Sequence, residues 1–386
     1  MRALLLILDG IGIGTLPDLP ACKDPVDSPL GRLFRHRSHL ELPHLFSLGL
    51  REILTGTEIH PIRTRACYGR IKAATLNKEL ISAHWEIAGV DVKEPLITQS
   101  THFLTPLLKA IETEAGIELI GNCPGKSPAI LEKFGAIHLK TGRPILYMPS
   151  YAVMQIAAHE KMIPRKRLYE ICRIARRHCP TFGISRVIAR PFTGQPGNFI
   201  LSENGRFEFP IMPPRTVLNA LSETGLAVEC VGKIAHNFGS SGVTGTHPAT
   251  SNKEGMKVIK KIWGLMQDGL IFAHLPDFER SRNLSEFAMA LTEFDDWLGH
   301  FLSQVDSEDL VIITASHGHD PSFQQQERNR EDLPIFAMTG KKCGPLEGDA
   351  IFADITATLL AYFDLKEKWP HGKSLFSFER TPSFYY

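Results

Sequence analysis

Met1-Arg-Ala-Leu-Leu-Leu-Ile-Leu-Asp9-Gly-Ile-Gly-Ile-Gly14 opens the chain. Leu4 to Leu8 is an unbroken apolar run, the pattern of a strand buried on both faces of a parallel sheet. A carboxylate follows at once, then glycines at alternate positions. Open parallel sheets bind their ligands beyond the carboxyl ends of the strands, which is where Asp9 falls. The glycines let other backbone, or a ligand, come close.

The rest of the chain is long enough to build a large core around this strand. Its 386 residues suggest two or three domains. Lys and Arg number 43 against 42 Asp and Glu, a balance that argues against nucleic acid or a polybasic membrane contact as general partners. Arg173, Arg176, Arg177 and His178 form one small basic cluster, read as a solvated helix end. No apolar stretch reaches the roughly 18 residues of a membrane span. The apolar start runs straight into Asp9 without a cleavage-site pattern, so it reads as a core strand and not a signal peptide. Seven scattered cysteines with no C-x-x-C spacing favour reduced thiols and a cytoplasmic protein.

Apolar periodicity divides the remainder. Residues 1–92 and 212–386 read as a doubly wound α/β core, and 93–211 as an inserted α/β cap domain. In the insert, Ile117–Ile120, Ile145–Met148 and Ser185–Ala189 read as strands. Arg165 to His178 carries the 3.6-residue stripe of an amphipathic helix. Arg190 to Asn198 is rich in Pro and Gly and reads as a loop. In the core, Ala227–Val231, Leu270–Leu275, Leu310–Thr314 and Leu333–Met338 read as strands. Asn283 is placed to cap a long helix bearing Phe287, Leu291, Phe294, Leu298 and Phe301.

Three core strands end in groups able to bind a divalent ion: Asp9, then Asp277 with Glu279, then His317 with His319 and Asp320. Strand ends on one rim can converge although they are far apart in sequence. The same residues also serve in many proteins as ordinary helix caps and loop polar groups.

Several stretches resemble one known family. Leu-Asp-Gly-Ile-Gly-Ile-Gly at 8–14, His-Trp-Glu-Ile-Ala-Gly at 84–89, Gln-Ile-Ala-Ala-His-Glu at 155–160, Arg-Val-Ile-Ala-Arg-Pro-Phe at 186–192, Gly-Lys-Ile at 232–234 and Phe-Ala-Asp-Ile at 352–355 are similar to the phosphopentomutases, of the alkaline phosphatase superfamily. The resemblance implies an alkaline-phosphatase-like core, an inserted cap, and interconversion of ribose 1-phosphate and ribose 5-phosphate. It also implies two manganese ions and a phosphorylated threonine beside them.

Carried over position by position, the resemblance is uneven. Asp9 matches the first metal carboxylate and His317 a metal histidine. Glu279 stands where the family has Asp. Leu80 occupies the position of the nucleophilic threonine, with Ser82 the nearest hydroxyl. Leu284, Ser316 and Arg328 occupy three further metal-ligand positions. Arg186 and Lys233 match substrate-phosphate contacts. Ala152 replaces a cap serine, and Leu201 stands near the place of a phosphate-binding arginine, with Arg206 the nearby candidate. The expectation is a phosphopentomutase-like pseudoenzyme holding one manganese ion at most. Its partner would be a phosphorylated sugar or nucleotide, or a protein docking on the aromatic tail at Phe376, Phe378, Phe384, Tyr385 and Tyr386. The competing expectation is an active phosphoesterase or phosphomutase in which Asp9, His317 and one of His319, Asp320 or Asp277 hold a single metal.

Overall fold

The computed structural model describes residues 1–14, 28–37, 39–55, 64–74, 80–92, 102–149, 153–180, 183–319, 321, 331–340, 344–367 and 369–378, without the side chains of Pro29 and Leu80. The chain divides into two compact units, Met1–Val92 with Pro213–Tyr386, and Lys93–Met212. Fifteen strands are described. In chain order they are β1 (Arg2–Leu8), β2 (Cys67–Lys72), β3 (Ile120–Pro124), β4 (Ile145–Met148), β5 (Val153–His159), β6 (Arg186–Gln195), β7 (Asn198–Leu201), β8 (Phe207–Pro210), β9 (Ala227–Val231), β10 (Gly245–His247), β11 (Gly269–Leu275), β12 (Leu310–Thr314), β13 (Leu333–Met338), β14 (Gly344–Pro345) and β15 (Ala350–Ile351).

The first unit is built on one sheet in the order β10-β9-β11-β1-β12-β13-β2-β14, with β15 also paired to β2. β1 lies between β11 and β12, parallel to both. Ala3 to Leu8 are accordingly buried on both faces, which explains the unbroken apolar run; each such side chain contributes about 1.5–3 kcal/mol. The sheet is mixed, because β13 runs antiparallel to β12 and to β2.

Helices cover the sheet as the periodicity predicts. Leu284–Leu302 is capped by Asn283, whose side chain accepts from the N–H groups of Ser285 and Glu286, and it buries Phe287, Leu291, Phe294, Leu298 and Phe301. Asn252–Trp263 turns Met256, Ile259 and Trp263 inward. Near the C-terminus, Phe376 and Phe378 meet edge to face, and Phe378 packs edge to face on Tyr362. The described part of the aromatic tail thus lies on its own unit, while Phe384, Tyr385 and Tyr386 lie outside the described residues.

The second unit has its own sheet, β3-β4-β5-β6-β7 with β8 on β6. Two sequence expectations change here. The first strand is Ile120–Pro124, not Ile117–Ile120, because Ile117 and Leu119 pack instead against the helix-covered core. Arg190–Asn198 is not a loop: β6 runs on to Gln195 and turns back into β7. Pro191 is tolerated because β8 pairs only Arg186–Ala189 and β7 only Phe192–Gln195, so no antiparallel partner calls on its missing N–H. The basic helix end is solvated, as expected: Arg173 and Arg177 are exposed, with Arg177 and His178 in surface pairs to Glu114, and Arg176 donates to the Ile184 carbonyl at 2.7 Å.

One carboxyl group accounts for the glycine at 12 and bonds the backbone at 14. Side-chain atoms at Gly12 or Gly318 would overlap the carboxyl of Glu331, and Glu331 Oε2 accepts from the Gly14 N–H at 2.8 Å. The Ile13 N–H donates to the Asp332 carbonyl at 2.9 Å. Oε1 is buried and has no hydrogen-bond partner among the described residues. Burial pushes the Glu331 carboxyl up to about 7; the Gly14 N–H and Arg32 pull the other way without cancelling it, and Asp332 adds to it. A carboxyl raised on folding makes the folded state bind the extra proton between about 4.5 and 7, so its contribution is present at low pH and is lost as pH rises through 7. Glu331→Gln should therefore remove a pH-dependent loss on the order of 3 kcal/mol. In thermal melts from pH 4.5 to 8, the wild type should fall relative to the variant; parallel curves would show that Glu331 carries no such charge.

Candidate functional site

Register places four polar side chains around the end of β1. Ile7 pairs with His274 on β11, and with Thr314 on β12, so Asp9 leaves the sheet beside His274 and beside the turn that begins at Ala315. The turn is tied down by backbone bonds, Gly10 N–H to the His317 carbonyl at 3.1 Å and His319 N–H to the Gly10 carbonyl at 3.0 Å. Gly10 has φ +100°, and a Cβ there would collide with the backbone of Glu279. That glycine is what allows the Glu279 turn to lie against the β1 turn.

Asp9 is fully buried. Its Oδ2 lies 2.9 Å from His274 Nε2, and its Oδ1 accepts from the Ser316 hydroxyl. Ser316 Oγ is 2.9 Å from His317 Nδ1, and His317 Nε2 lies 3.4 Å from Glu279 Oε1. The groups form a chain, His274–Asp9–Ser316–His317–Glu279. Burial alone would raise the Asp9 pKa, but the imidazoles of His274, His317 and His84 outweigh it and hold the carboxyl well below the usual carboxylate range.

This arrangement does not fit a metal centre as it stands. A catalytic ion needs about three ligands around one point. Here His317 turns one nitrogen toward Ser316 and Asp9 and the other toward Glu279, so the imidazole separates the two carboxylates. Among the described residues, no group of three or more His, Cys, Asp or Glu side chains is placed to hold an ion. Among the described residues, Asp9 Oδ2, His317 Nε2 and His274 Nδ1 are nonetheless buried without aligned hydrogen bonds, so the described cluster is electrostatically matched yet incompletely bonded.

The other candidate donors are otherwise engaged. Asp277 accepts from the Asn252 N–H at 2.6 Å and donates its own N–H to Asn252 Oδ1 at 2.9 Å, which makes it a helix-end clamp and not part of the chain at Asp9. His319 Nε2 is 3.3 Å from the Ser281 carbonyl, and burial lowers its pKa. Leu284 begins the long helix. Ser82 is buried within the helix Leu80–Ile87. Asp320 and Arg328, and the side chain of Leu80, lie outside the described residues.

His274 went unmarked in the sequence, although one signal was present: it is an ionisable residue inside an otherwise apolar strand, Gly269–Leu275. His84 and Trp85 anchor scaffold. His84 Nδ1 lies 2.7 Å from Asn237 Nδ2, and Trp85 Nε1 donates to the Asn237 carbonyl at 2.9 Å.

The expected phosphate ligands fall in different units. Lys233 is exposed just before the helix Ile234–Asn237 of the first unit. Arg186 begins β6 of the second. Near it, Arg190 pairs with Glu203 at 3.0 Å, and Arg206 pairs with Glu208. Burial, then the charges of Arg190 and Arg186, lower the Arg206 pKa, against Glu203, so these guanidinium groups feel one another.

Among the described residues no helix is long and apolar enough to cross a membrane. The family model described as "Metalloenzyme superfamily" matches residues 1–367. The chain is 38% identical to the phosphopentomutase of Dictyoglomus thermophilum, over 97% of this chain and 98% of that one. It is 36% identical to the phosphopentomutase of Desulfitobacterium hafniense strain DCB-2, over 95% and 96%. Among solved structures, the PH0037 protein of Pyrococcus horikoshii is similar at 15% identity with a TM-score of 0.46, covering 96% of this chain and 99% of that one. Whole-length identity at this level, together with the sheet that carries Asp9, identifies the chain as a member of the phosphopentomutase family within the metalloenzyme superfamily.

Proposed function

We propose that this chain keeps the phosphopentomutase fold as a binding protein for a phosphorylated sugar or nucleotide and has lost the mutase reaction. One observation carries the reading. Both oxygens of Asp9 face protein groups, His274 and Ser316, where phosphoryl transfer needs a carboxylate that holds an ion. When bound, paired divalent ions neutralise charge on the transferring phosphoryl group and activate the nucleophile. Leu80 supports the same reading, because a leucine has no atom that can carry phosphate. So does Arg328, a permanent cation at a position where the family resemblance implies a metal ligand.

On the ligand side, Arg186 and Lys233 are the proposed phosphate contacts, and Arg206 the guanidinium nearest the place of the missing one. Fixed guanidinium groups suit planar or tetrahedral anions. Balanced charge and cysteines without metal or redox spacing support a cytoplasmic location.

A second reading has its own support. Among the described residues the buried Asp9 Oδ2 and His317 Nε2 lack aligned hydrogen bonds, and a single ion would satisfy such atoms. One equivalent of manganese or zinc in protein purified with that metal, together with phosphoesterase turnover, would favour that reading.

The direct test is conversion of ribose 1-phosphate to ribose 5-phosphate with manganese, by the wild type and by Leu80→Thr. Neither should turn over, because restoring the hydroxyl leaves Leu284, Ser316 and Arg328 unchanged. Turnover by either protein would overturn the reading. Binding provides a separate check: calorimetry with ribose 5-phosphate should show affinity for the wild type and a loss of about ten- to a hundredfold in Arg186→Ala, the cost of one charge-assisted contact.

A further inference from the structure

Asp9 has no exposure to solvent, and a buried carboxylate without a compensating partner is strongly unfavourable. Among the described residues, His274, Ser316 and the more distant imidazoles of His317 and His84 compensate it. His274 Nε2 lies 2.9 Å from Oδ2. The Ser316 hydroxyl donates to Oδ1. His317 Nδ1 is 4.0 Å from Oδ1, and it is shared with Ser316 and faces Glu279 on its other edge. Among the described residues His274 is therefore the imidazole nearest Asp9, at 2.9 Å, while His317 is shared with Glu279 and His84 sits against Asn237.

The fold makes room for that imidazole. Gly232, at φ +79°, closes β9 beside β11, and a Cβ there would stand 2.9 Å from His274 Nδ1. The ring packs edge-on against His84, with centroids 6.1 Å apart. His274 itself is almost fully buried. A slot lined by a glycine and an aromatic ring fixes a side chain in one place, which a surface histidine would lack.

We infer that His274, with Ser316, is a built-in substitute for a divalent cation: it occupies the space beside Asp9 and compensates its carboxylate, so the rim of the sheet is complete without an ion. The inference rests on the reading of the chain as a family member whose ion site is dismantled, and it adds the residue that took over the ion's structural task.

A double-mutant cycle tests it on the full chain, read by thermal melting in the presence of EDTA. His274→Ala should lower the melting temperature by several degrees, because it strands the Asp9 carboxylate. Adding Asp9→Asn should recover most of that loss, since the stranded charge is gone. Losses that simply add, or a His274→Ala melt equal to wild type, would overturn the inference. If His274→Ala is insoluble, His274→Asn, which keeps a donor in the slot, enters the same cycle and is judged by the same recovery.

Manganese alone is the second probe, followed by the free-ion electron paramagnetic resonance signal. The wild type should show no saturable uptake. The His274→Ala/Ser316→Asp variant should take up the ion at least ~10-fold more tightly, a typical scale for changing a ligand's surroundings, and its melt should rise with the metal. Equal uptake by both proteins would overturn the inference. Mutase turnover by the wild type would sink the functional reading alone; the melting cycle would still decide the role of His274.

Discussion

One buried charge sets the terms for the rest of this molecule. β1 delivers Asp9 to a point with no access to water, and an ionised carboxylate there requires opposite charge or strong donors within a few ångströms. The surrounding architecture is organised to meet that requirement. β11 brings His274, the turn after β12 brings Ser316 and His317, and Gly10 allows the Glu279 turn to close in. Each strand end is held by backbone bonds to its neighbour, so the polar groups arrive in fixed register.

The chemistry follows from how that charge is met. A divalent ion bound to a carboxylate can also grip a phosphoryl oxygen, because it keeps open positions. An imidazole and a hydroxyl cannot, since their capacity is used by the carboxylate itself. In the proposed reading, the substitution of side chains for ions leaves the scaffold intact and removes the catalysis. In the same reading the proposed phosphate contact of the second unit, Arg186, does not depend on ions.

Much of the scaffold was legible from residue order. β12 and β13 match their apolar runs residue for residue, because strands buried on both faces have no polar alternation to blur their ends. Asn283 announced its helix, since a cap is a local device. The hairpin of β6 and β7 was hidden: Pro and Gly composition argued for a loop, and only the pairing of Arg190–Phe192 with β5 and of β6 with β7 overrides it. Asp9, Glu279 and His317 were legible as strand-end polar groups and do lie in one chain of contacts. His274 was not, because one histidine in an apolar strand has no meaning until the β1–β11 register sets it against Asp9. Glu331 was equally hidden. The glycines at 12 and 14 signalled a close approach, but what approaches comes from more than three hundred residues away.

The central claim is that protein groups, and not paired cations, balance Asp9. Diffraction from crystals of the unaltered protein grown with manganese, recorded at the manganese absorption edge, tests it most directly. The account predicts an anomalous map with no full-occupancy peak within ligand distance of Asp9, and His274 still seated against its carboxylate. Two strong peaks side by side between Asp9 and Glu279 would contradict it.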